Sequence, residues 1–259
     1  MERPARESIY VNYLPTPRRF VMFLRVLVPV ALWSTVLTGL LIAWTQPSPG
    51  AGVWDTSEVK TFEGVLVVEP YPMLLADDLG EGHAGAALLV EQGKFGVARG
   101  LDLAGRRVRV RGNTLTRDGL VMIELRPEVD AIAPEASAND AASATAHAPS
   151  DARDARKLGT TMLHGEIVDS KCYLGAMKPG AGKTHKACAT LCVKGGIPPV
   201  LVSREDGRAV FTLLVDLDGG VLDASHHPFI GEPVEVRGEL ETRGGVRVLR
   251  VPVGGVTRR

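Results

Sequence analysis

The chain has 259 residues, of which 45% are hydrophobic, 23% charged and 5% aromatic. Lys and Arg balance Asp and Glu at 30 each, so no basic excess points to nucleic acid as a partner. The 29 Gly and 17 Pro suit short strands and turns better than long helical bundles.

The first predicted element is an anchor. Val26–Trp44 is a run of 19 residues without a charge, enough at about 1.5 Å per residue to cross a hydrocarbon core of roughly 30 Å. Arg18, Arg19 and Arg25 flank its start, and no basic residue follows it until Lys60. The positive-inside rule therefore expects residues 1–20 as a cytoplasmic tail, 21–45 as a single transmembrane span and the remainder outside. The run is too long for a signal-peptide core, and no A-x-A cleavage site follows it.

Residues 45–60 are expected to form a tether. Residues 131–155, within a stretch of 128–157 expected to be a disordered linker, contain 11 Ala among Ser, Asp, Pro and Thr with no apolar period. Two segments remain, 61–127 and 158–256, and they repeat one another. Phe62-Glu-Gly-Val-Leu-Val-Val answers Leu163-His-Gly-Glu-Ile-Val-Asp, and Gly105–Gly112 answers Gly231–Gly238. Val108/Val110 and Val234/Val236 alternate with charged residues at strand period. Asp118-Gly119 and Gly244-Gly245 are two-residue hairpin signals. The expected fold class is mainly β: a transmembrane helix and two separate five-stranded barrels that resemble the small OB-like domains of bacterial periplasmic proteins.

The second copy carries an insert, 170–198, holding all three cysteines, Cys172, Cys188 and Cys192, together with His185. A strand ending D-x-x-C is followed by H-x-x-C-x-x-x-C, a Gly/Pro turn and an apolar strand. Over residues 163–250 this resembles a family of uncharacterised bacterial exported domains, a resemblance that implies context and no mechanism. From the residues alone, Thr184 is expected to cap a short helix that Gly195-Gly196 ends. That helix places His185, Cys188 and Cys192 on one face, with Cys172 folding back towards it.

Two readings of these residues stand open. Three thiols and an imidazole make a tetrahedral ligand set for zinc or another soft transition metal. Alternatively Cys172 forms a disulfide with Cys188 or Cys192 and leaves one thiol over, as an exported setting favours. The lysines at 171, 178, 183 and 186 keep a redox-active thiol in view as well.

Other signals carry less. Gly180-Ala-Gly-Lys-Thr184 lacks the first glycine of a P-loop, because Met177 stands there. His226-His227 is expected to be an exposed loop pair, and His164 a surface residue. His83 and His147 are expected in solvent. Tyr71-Pro-Met-Leu-Leu reads as a turn into a core strand. No catalytic set is complete, which leans away from an enzyme. The leading expectation is an accessory or interaction protein of the bacterial inner membrane, facing the periplasm and working beside another membrane or exported protein. The alternative is a metal- or haem-handling factor. Its architecture resembles that of the cytochrome c haem chaperone, without that chaperone's His-containing attachment motif.

Overall fold

In the computed structural model, residues 17–46, 52–76, 78–80, 85–135 and 156–259 are described. The chain divides into two compact units, Met1–Ser48 and Pro49–Arg259.

The first unit is helix α1, Arg18–Thr45, long and apolar enough to cross a membrane. Three of its hydroxyls are satisfied locally. The Ser34 and Thr35 hydroxyls each donate to the Ala31 carbonyl at 2.8 Å, and Thr45 donates to Leu41 at 2.9 Å. Hydrocarbon offers polar groups no other partner.

The second unit holds two barrels. The first comprises β1 (Val53–Val67), β2 (Met73–Ala76), β3 (Ala86–Val90), β4 (Arg107–Arg117) and β5 (Leu120–Leu125), with β6 (Ile132–Pro134) added outside β4. The strand order β1-β2-β3-β5-β4 closes through pairing of β1 with β4. The second barrel uses β7 (Arg156–Asp169), β8 (Pro199–Glu205), β9 (Arg208–Asp216), β10 (Pro233–Arg243) and β11 (Val246–Val251), with β12 (Val256–Arg258) outside β10. It closes in the same order, and in each barrel only the third and fifth strands run parallel. The repeat read from the sequence is thus a repeat of topology. Asp118-Gly119 and Gly244-Gly245 all have positive φ, as the tight hairpins require.

The ends differ from expectation. β1 starts at Val53, inside the expected tether, because its first residues pair with the far end of β4. Ile132–Pro134, expected within the linker, pairs with Val108–Val110. Residues 136–155 of that linker, His83 and His147 lie outside the described residues.

The barrels are two separate sheets of the same topology, as expected, and they also pack against each other. Each has its own interior, Leu66, Leu89, Val108 and Ile123 in the first and Ile167, Leu201, Val234 and Leu249 in the second. A third core lies between them, joining Met73, Leu88, Leu115 and Met122 to Leu174, Ile197, Val200 and Leu213. Strands facing that core are buried on both sides, so β3 and β5 are buried at every position. An uninterrupted apolar strand such as Ala86-Ala-Leu-Leu-Val90 is the sequence sign of double burial. Tyr71 also crosses the junction: its hydroxyl accepts from the Leu222 amide at 3.1 Å.

Candidate functional site

The chain leaves β7 at Asp169, passes through a turn over Cys172–Ala176 and returns as helix α2, Lys186–Lys194. The Asp169 carboxylate accepts from the Cys172 amide at 2.8 Å, which starts the turn where the strand stops. Thr184 does not cap α2. His185 occupies that position, with no side-chain capping bond, because its ring turns instead to Asp169, Nε2 to Oδ2 at 3.0 Å. The helix ends at Gly195, as expected, and Gly196 follows with a φ of 97°.

This path brings together all four residues singled out by the sequence. Ligand-capable atoms of Cys172, His185 and Cys188 lie within 4.8 Å of one another, as do those of Asp169, Cys172 and Cys192. The two triads share Cys172, whose sulfur lies 4.0 Å from that of Cys192. All three cysteines are free thiols. Asp169, Cys172, His185 and Cys192 are at most 4% exposed, and Cys188 alone among the thiols is partly exposed.

The residues that sequence reading missed explain how the cluster is held. Asp169 fixes the His185 ring through Nε2 and leaves the Nδ1 lone pair available, the arrangement that commonly orients a histidine ligand. The D-x-x-C pattern was the signal for it. Lys171 does not attend the thiols. Its ammonium meets Glu124 Oε1 at 2.5 Å and donates to the Glu91 and Gly93 carbonyls at 2.9 and 2.8 Å, all on the first barrel. Lys186 likewise turns away, to Glu232 and the Pro228 carbonyl.

The cation at the sulfurs is Lys94, from the β3–β4 connection of the first barrel. Its Nζ lies 2.8 Å from Cys188 Sγ and 3.7 Å from Cys192 Sγ. No local pattern marks Lys94, which is 94 residues from Cys188 in the chain.

The electrostatics are uneven across the cluster. The thiol of Cys172 is pushed up, chiefly by its hydrogen bond to Cys192 and then by burial. Cys192 is pushed down, first by that same contact with Cys172, with Lys94 adding to the effect. Lys94 is raised, mainly by its bond to Cys188. The cluster is therefore arranged to hold negative charge on sulfur beside a cation.

The remaining candidates are set apart from this cluster. His226 is buried, at 1% exposure, contrary to the expected exposed pair, and burial lowers its pKa. The turn Ala224–Phe229 tucks it against the barrel. His164 is exposed, as expected. In the glycine-rich Gly180–Thr184 stretch, the Gly182 amide donates to Glu166, a carboxylate in the place a phosphate would need.

No protein-family model, curated protein or solved structure matches the chain.

Proposed function

We propose that the protein is a membrane-anchored accessory factor of two OB-like barrels, on the periplasmic face of a bacterial inner membrane. In this reading it holds one soft or borderline metal ion, zinc foremost, through Cys172, His185, Cys188 and Cys192. The convergence of three unbonded sulfurs and an imidazole from one insert carries the reading. In a tetrahedral zinc site with bonds of about 2.3 Å, sulfurs lie about 3.8 Å apart, close to the 4.0 Å between Cys172 and Cys192. Asp169 supplies the carboxylate that orients the histidine. The OB-like label is supported by the order β1-β2-β3-β5-β4 closed onto β1 in both barrels. The anchor and an exported partner belong to the same proposal.

Elemental analysis and thiol counting on the full chain in detergent test it. The expected result is one metal per chain and three thiols that react only after chelation. One reactive thiol and no metal would instead support a Cys172–Cys192 disulfide, a second reading favoured by their proximity. Reporter fusions after Gly52 test the topology, since only an exported reporter should be active there.

A further inference from the structure

The Cys188 side of the cluster is its accessible side, and the first barrel covers it. Asp169, Cys172, His185 and Cys192 are buried, and Cys188 is the cluster's partly exposed member. Lys94 stands at that point, bonded to Cys188 and near Cys192.

The turn that presents Lys94 is firmly held. The Glu91 amide donates to the Phe95 carbonyl at 3.0 Å, and the Gly96 amide donates to the Gly195 carbonyl at 2.8 Å. Lys171 bonds the Glu91 and Gly93 carbonyls, and Arg99 grips the Glu91 carboxylate with two bonds of 2.8 Å. Contact with α2 is so close that a Cβ on Gly195 would fall 1.8 Å from the Lys94 carbonyl. With its backbone pinned from both barrels, Lys94 can clear the sulfurs only by swinging its side chain.

The geometry points to Lys94 as the gate of the metal site: its ammonium covers the Cys188 and Cys192 sulfurs and repels an approaching divalent cation until the side chain swings aside. This rests on the metal reading proposed above. The barrel without ligands thus governs how fast the barrel with ligands is loaded and emptied.

Cobalt(II) loading of the full chain in detergent, followed by stopped flow through the thiolate-to-cobalt charge-transfer band, tests the gate. Rates are read on the plateau of the pH–rate profile, where thiol ionisation limits neither protein. Lys94→Met, and Lys94→Gln as a second charge-free variant, should load about tenfold faster or more, the scale on which a local charge alters ion approach. Lys94→Arg should load like the wild type, and all should reach the same occupancy. Charge-free variants that load at the wild-type rate, or more slowly, overturn the gate and leave the site standing. No charge-transfer band in any protein, wild type included, overturns the metal reading and the gate together.

Discussion

The two barrels share a strand order and a pair of tight hairpins, yet the cysteines sit in only one of them. In the first barrel, β1 passes to β2 through the short stretch 68–72; in the second, the same connection has become the insert at 170–198. The first barrel contributes what the second cannot supply from its own chain: Lys94 over the sulfurs and Glu124 opposite Lys171. A repeated fold has thus divided the parts, with the Cys/His cluster on one copy and its cover on the other. The site is a property of the junction.

That division is most sharply tested at the buried pair. Lys171 and Glu124 are 3% and 6% exposed and come from opposite barrels. Glu124→Leu leaves the Lys171 ammonium buried without its counter-charge and should destabilise the protein by about 3–5 kcal/mol. Adding Lys171→Met should recover most of the loss in urea unfolding. No recovery would mean that the pair is not a coupled unit.

Leu174→Ala comes next. Leu174 is fully buried in the core between the barrels, and its loss should cost about 2–5 kcal/mol. Because that core joins both barrels, calorimetry should show one transition moving as a whole. Two transitions, only one of them shifted, would make the barrels independent neighbours.

A smaller effect is expected at Asp169, which acts on the ligands of one barrel only. Asp169→Asn keeps the shape but weakens the hold on the His185 ring. Zinc affinity, measured by competition with a chelating dye, should fall about 10- to 100-fold. An unchanged affinity would remove Asp169 from the site.

The smallest effect lies at Glu232, which joins α2 to β12 within the second barrel through Lys186 and Arg258. Hydrogen bonds from Lys186 and then Arg258 lower its pKa to about 2 from the usual 4.5. A lowered carboxyl pKa gives stability that is present above pH 4.5 and lost as the pH falls through about 2. Wild type and Glu232→Gln should therefore differ by a small, constant amount above that window and converge below it. Denaturation midpoints across this pH range check the sign.

The sequence by itself determined the local features. An uncharged 19-residue apolar run forms a long apolar helix, because in a membrane only a helix satisfies its backbone within the segment. Alternation at Val108/Val110 and Val234/Val236 set the strands, and the Asp-Gly and Gly-Gly pairs set the hairpins. The spacing of His185, Cys188 and Cys192 brought three metal-capable side chains up to Cys172, since three- and four-residue steps return to one side of a helix. The tertiary structure alone decided which groups surround those ligands. Lys94 meets Cys188 across 94 residues of chain, and Lys171, four residues before Gly175 on the same insert, turns to Glu124 instead of the thiols. Such pairings follow from how two closed barrels bury their outer faces against each other. That packing sums over many dispersed apolar contacts, and no short pattern in the chain records it.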